Sequence, residues 1–343
     1  MALFPKVGRK QPGVRFAWYT VVAILLLGIF LHLLPFYFMI TTSFKTTQET
    51  FAIPPTLWPQ EPSFKAWELI FNVTTASSSS ERIRTLLPQP MYIYFRNSMI
   101  QVLGAMAISL PVTAFAAYAN SKLQQGRTAR WFFLFFIGTL MLPFAVTLIP
   151  SFLLTRNFPF PTPNPPLIPG TENPFPTIRI WNTPWAIIIP AGFNAFNFLL
   201  FKGFFDTIPN SIIQAARVDG GSEFNIFRRI VVPMSIPVFA VAAWFQFGAL
   251  WDSFLWPLVV LQSTDVIPMS VAINNLIQAF QQAGVTNADQ AMGASQAFQQ
   301  ALDAGLSWPG LMVLGILQTI PVFVMFIICR EYLLKGVRLR GLK

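Results

Sequence analysis

The chain has 343 residues, 54% of them hydrophobic and only 10% charged, with a formal net charge of +10 and a mean hydropathy of +0.55. A water-covered surface needs about 25% charged residues, so this composition excludes a soluble globular domain. Thirty-six Phe and ten Trp suit a lipid-facing surface with aromatic belts, and membrane helices tolerate prolines, here 29, because their neighbours repair the breaks. One Cys (Cys329) and one His (His32) exclude a disulfide framework and a His/Cys metal site. Both sit in apolar runs and read as a packing residue and a satisfied intramembrane side chain.

In chain order, six apolar runs reach the roughly 20 residues that cross a bilayer. They lie near 17–40, 95–120, 131–153, 185–205, 233–261 and 310–331. Ahead of the first, the tail 1–16 carries Lys6, Arg9, Lys10 and Arg15. The run that follows is too long for a signal-peptide core and lacks a small-x-small cleavage site, which predicts an uncleaved first helix. The loop 41–94 contains the Ser77–Ser80 tract, and a glycosylation sequon begins at Asn72. The loop 154–184 is proline-rich and predicts an extended, semi-rigid cover. The loop 262–309 is rich in Gln and Ala, with helical stretches predicted over 271–282 and 288–303.

Counting Lys and Arg gives sixteen in 1–16, 120–130, 202–232 and the end from Arg330, against seven in 41–96, 154–184 and 262–309. Acidic residues run the opposite way, four against eight, with Asp252 alone inside a run. The basic side is the cytoplasmic one, so both termini are expected there. Positive charge gathered on one membrane face accounts for the net charge without nucleic acid.

Between the fourth and fifth runs lies QAARVDGGSEFNIFRR, residues 214–229. Ser211 is placed to cap a short helix, IIQAARV. Gly220 and Gly221 permit the positive-φ turn that ends it. Ser222 then caps a second helix, with Glu223 near its positive end and Arg228 and Arg229 near its negative end. Pro233 closes the unit and opens the fifth span. A helix–glycine hinge–helix of this size has no core of its own and must dock into something.

These residues carry a family resemblance. The stretch QAARVDGGSEFNIFRRIVVPMSIP resembles the EAA signature of importer-type ABC transporter permeases, E-A-A-x-x-D-G followed further on by I-x-x-P. The matching positions are Ala215, Ala216, Asp219, Gly220, Ile230 and Pro233, with Phe227 at the usual aromatic position. Gln214 stands where the family has Glu, which keeps the size and removes the charge. SFKTTQETFAIPPTLWP, YFRNSMI, WDSFLWPLVV and CREYLLKGVRLRGLK are similar to the carbohydrate-uptake branch, the maltose-permease type.

The resemblance implies an all-α integral membrane protein of six helices, the type I importer permease fold, over 17–343 behind the cytoplasmic tail 1–16. It also implies a multi-pass cell-membrane location. The loop 206–232 becomes a coupling loop, in which Gln214, Ala215, Ala216, Asp219, Gly220, Gly221, Phe227 and Pro233 engage a separate ATPase through 211–230. The implied partners are a pair of ABC ATPase subunits, a second homologous permease, an extracytoplasmic binding protein facing loop 262–309, a carbohydrate and membrane lipid. ATP and Mg belong to the ATPase, and no cofactor or metal to this chain.

The chain contains no G-x-x-x-x-G-K-[ST] phosphate loop and no Cys/His nucleophile arrangement, so hydrolysis must come from elsewhere and a self-contained enzyme is disfavoured. Polar groups at membrane depth usually face the bundle interior or a water-filled path. Asn194, Asn197 and Gln246 are therefore sugar-path residues or interhelical hydrogen-bonding groups. Trp244 and Trp251 are sugar-facing rings, or Trp251 an interface anchor. Asp252 is an external gate or an interface carboxylate. The rival readings are a permease of the same family for another solute (a glycerol phosphate, a polyol or a peptide), a secondary transporter and a membrane enzyme.

Overall fold

The computed structural model describes residues 11–72, 88–124, 126–156, 179–282 and 308–338. The helix expected at 288–303, most of the proline-rich loop, the Ser77–Ser80 tract and the sequon beyond Asn72 lie outside the described residues. Among the described residues every regular element is helical. Four helices are long and apolar enough to cross a membrane, and two further bent pairs complete six if each pair is one span. The chain divides into two compact units, Met1–Pro90 with Leu276–Thr319 and Gly341–Lys343, and Met91–Asn275 with Ile320–Arg340.

In the first unit, α1 (Pro12–Ser43) extends about 48 Å at 1.5 Å per residue. Pro12 starts it because the first turn needs no N–H from that residue. The short α2 (Thr47–Thr50) and α3 (Lys65–Asn72) follow. Phe44 stacks on Trp67, and Trp67 on Phe71, while Lys45 reaches the carbonyl of Thr56.

The second unit is built on α4, a 33-residue helix over Met91–Leu123 whose last five residues, Ala119–Leu123, are π-helical. Next come α5 (Gly126–Leu140) and α6 (Phe144–Arg156). The expected third span is not one straight helix: α5 and α6 meet at 99°. Pro143 is the cause, since it offers no N–H and drives the residue before it out of helical geometry.

The fourth span, Trp185–Phe205, is long and apolar enough to cross as expected, with a local interruption inside it. α7 (Trp185–Ile188) gives way at Pro190 to a 3-10 turn, and α8 (Ala195–Phe205) begins afresh from Asn194, whose side chain caps it. α9 (Asn210–Val218) is separated by two glycines from α10, the helical run Glu223–Met234. α11 (Ile236–Trp251) leaves α10 at 80°. Pro233 therefore lies inside α10 instead of opening the span; the bend falls at Ser235, just before Pro237 in the first turn of α11. The expected run to 261 also stops at Trp251, and α12 (Leu255–Val260) is a separate turn. α13 (Met269–Gln282) and α14 (Trp308–Arg338) complete the order.

The core of this unit lies where α4, α8, α9, α10 and α11 meet. Phe198, Phe201 and Phe205, on one face of α8, have no exposed surface and pack with Ala114, Ala117 and Tyr118 of α4. Small residues on α4 admit neighbouring helices closely. At Gly104 a Cβ would stand 2.9 Å from the tip of the Ile188 side chain, which would have to shift to admit it.

Candidate functional site

The elbow formed by α9, Gly220–Gly221 and α10 is positioned from both ends. Pro209, not Ser211, occupies the N-cap of α9, in an extended conformation. Proline fixes φ there and has no N–H to satisfy. Ile213 turns inward and is buried. At the other end, Gly220 adopts φ +79, the left-handed region that only glycine enters freely. Its N–H bonds the carbonyl of Arg217, and that of Gly221 bonds the carbonyl of Ala216, both at 3.0 Å. This is the Schellman closure of a helix. Gly221 does not supply positive φ; it is needed because a Cβ there would stand 2.8 Å from the Ala216 oxygen. Ser222 caps α10 by accepting from the Asn225 N–H.

Below the elbow, polar bonds fasten it to the end of α4. The hydroxyl of Tyr118, fully buried, donates to Glu223 Oε2 at 2.7 Å. Arg217 Nε donates to Glu223 Oε1 at 2.6 Å, and its Nη2 donates to the Lys122 carbonyl at 3.3 Å. The bond to Glu223 raises the Arg217 pKa above its ordinary value. Lys122 Nζ donates in turn to the Ile208 carbonyl and Asn210 Oδ1, and Ser121 Oγ donates to Asp206 Oδ1. The elbow and the end of α4 are thus one polar junction over an aromatic floor, where Phe227 packs edge-on to Phe115 and tilted to Tyr118.

The predicted coupling residues consequently divide in two. Gln214, Ala215, Asp219 and Gly220 are exposed, Ala216 and Gly221 half-buried. Phe227 is 7% exposed and faces the core, so it cannot touch a docked partner directly. Two apolar side chains absent from the sequence reading face outward beside the first group: Val218, 87% exposed, and Phe224, 60% exposed. Apolar groups standing in water at a helix hinge are what a docking surface requires.

Among the predicted path residues, Asn197 Nδ2 donates to Gln246 Oε1 at 2.7 Å, joining α8 to α11. Asn194 accepts from the Asn197 N–H. Asn197 and Gln246 are both buried, so the geometry gives them the interhelical role. Trp251 is also buried, stacked on Phe247 and edge-on to Phe95, and offers no ring to a solute in this conformation. Trp244 is half-buried beside Phe245 and Phe326, and its buried indole N–H has no hydrogen-bond partner among the described residues. Asp252 is exposed and ends α11 with its N–H on the Gly248 carbonyl.

Sequence reasoning missed a clasp at the opposite end of the unit. Asn97 Nδ2 donates to the carbonyls of Asp265 and Ile267, Gln101 Nε2 to that of Val266, and Ser98 Oγ accepts from the Met269 N–H. Three polar side chains thereby hold the start of loop 262–309 on α4. The signal was available in the Asn97, Ser98 and Gln101 spacing, three polar groups on adjoining faces of an apolar helix. Asn182, at φ 58, similarly accepts from the N–H groups of Gln262 and Ser263.

Residues 109–339 match the family of binding-protein-dependent transport system inner membrane components. The chain belongs to this family, as a multi-pass membrane permease. Among its relatives is the polygalacturonan/rhamnogalacturonan transport system permease protein YtcP of Bacillus subtilis (strain 168), 25% identical over 93% of this chain and 95% of that one. Another is the sn-glycerol-3-phosphate transport system permease protein UgpE of Salmonella typhi, 25% identical over 79% of this chain and 85% of that one. The fold is shared with a chain in the crystal structure of a bacterial ABC transporter involved in the import of the acidic polysaccharide alginate, at TM-score 0.67 and 20% identity over 92% of this chain and 96% of that one.

Proposed function

We propose that this chain is half of the membrane pathway of an ATP-driven carbohydrate importer. The observation that carries the reading is the two-sided elbow. Its outer face presents Val218, Phe224, Gln214 and Asp219, and its inner face is fastened to α4 through Glu223, Arg217 and Tyr118. A separate ATPase pair gripping the outer face would move α4 through the inner one. ATP and its Mg then act on those subunits, and this chain contributes no catalytic step.

The basic loops and both termini are cytoplasmic in this account, which puts the elbow within reach of the ATPase. A second homologous permease supplies the other half of the pathway, and loop 262–309 meets the extracytoplasmic binding protein. Trp244, half-buried where Trp251 is fully covered, is the predicted path ring best suited to a sugar, since rings take the apolar faces of pyranoses. The test is uptake into vesicles holding the complete complex. Labelled oligogalacturonide should enter only with ATP inside and binding protein outside, and uptake without ATP would refute the importer reading. The similarity to the glycerol-3-phosphate permease favours a second reading of the solute. Saturable uptake of glycerol 3-phosphate with none of any oligosaccharide would replace the first.

A further inference from the structure

A cavity of about 420 Å³ opens in the second unit between the beginning of α5 and the end of α8. Arg130, Phe133, Leu199, Lys202, Gly203 and Asp206 are among the residues that line it. The chemistry is split along its length. Phe133 and Leu199 make an apolar track, while Arg130 and Lys202 place two cations at its mouth. Asp206 pairs with Lys202 at 2.9 Å, and Lys202 also stands over the Phe133 ring at 5.4 Å. Arg130 is exposed and makes no ion pair among the described residues.

The outer surface of α5 next to this groove carries Trp131, 71% exposed, and Phe135, 65% exposed. Such a surface faces lipid, with Trp131 at the depth of the headgroups. A groove with an apolar wall and cations beside it matches the two chemical parts of an anionic phospholipid. We propose that it holds an anionic phospholipid, with the phosphate on Arg130 and Lys202 and an acyl chain along Phe133 and Leu199. Basic pockets between membrane helices commonly select anionic headgroups. The site adjoins the junction that carries the elbow, because Asp206 also accepts from Ser121 of α4. Lipid occupancy would therefore stiffen the link between α8 and α4.

The experiment uses the full-length chain purified in detergent, equilibrated with equal phosphatidylglycerol and phosphatidylcholine, with retained lipid read by native mass spectrometry. The wild type should retain phosphatidylglycerol in clear excess. Arg130→Gln should lower its retention about fivefold, the weight of one interfacial cation. Gly203→Leu fills the groove sterically, and no neighbouring atom lies within 4 Å of a Cβ there, so the fold is kept while phosphatidylglycerol is lost. Arg228→Gln, on the elbow, should change nothing. Equal retention of the two lipids, or a preference untouched by both groove variants, overturns the proposal. Purified as the complete complex, an Arg130→Gln variant that keeps its lipid but loses an ATPase subunit also overturns it, because the groove would then be a protein contact.

Discussion

Removing Glu223 tests the junction under the elbow most sharply, because its two partners differ in burial. The Arg217–Glu223 pair has both side chains 38% exposed, so solvent screens it and its loss costs about 0.2–1 kcal/mol. The Tyr118 hydroxyl is different, since Tyr118 has no exposed surface and Glu223 is its partner. In Glu223→Ala that hydroxyl is stranded, which costs about 1–3 kcal/mol. Tyr118→Phe removes donor and need together, leaving a carboxylate that water can reach, at about 0.5–1.5 kcal/mol. The double variant should then be less destabilised than the sum of the singles by about 1 kcal/mol or more, a coupling typical of residues in one network. Hydrogen exchange of the elbow amides in the detergent-solubilised protein reads it directly, as each 1.4 kcal/mol is about tenfold in the opening constant. Strict additivity, with elbow exchange unchanged by Glu223→Ala, would refute the junction.

Four further outcomes follow from the geometry. Gly220→Ala should destabilise the elbow by about 1–2 kcal/mol, the cost of a side chain in the left-handed region, seen as faster exchange across α9. Gly221→Ala should be worse, because its Cβ meets the Ala216 carbonyl at 2.8 Å, and transport should fall with the chain still inserted in the membrane. Asn197→Ala orphans the buried Gln246 amide at about 1–3 kcal/mol, so the melting temperature should drop while the solute preference of the remaining activity stays the same. Asn97→Ala frees two carbonyls of the clasp and should raise exchange over 265–269 without altering the elbow.

Much of this architecture was legible in the residues. Long apolar runs announced α1, α4 and α14, and the Gly220–Gly221–Ser222 sequence announced a helix stop followed by a capped start, because glycine conformational freedom and serine capping are local effects. The broken spans were harder to read. Pro143, Pro190 and Pro237 were visible, yet a membrane helix such as α4 runs straight through Pro111, so a proline alone does not say whether neighbours will repair its gap. The functional loop was legible as a segment but not as a surface. Phe227 and Phe224 lie three residues apart, and tertiary packing sends one into the core and the other into solvent. The partner of Glu223, more than a hundred residues away in α4, left no local trace.

The central claim is that the outer face of this elbow is held by a separate ATP-hydrolysing subunit. The most direct measurement places a photo-reactive cross-linker at Val218, with Cys329→Ser background and a control at the exposed Phe135 of α5, in intact membranes of cells making the full transporter. The account predicts an adduct at Val218 containing an ATPase subunit, its yield changing when ATP is trapped, and no such adduct at Phe135. Equal capture at both positions, or an elbow that reacts only with lipid and water, would contradict it.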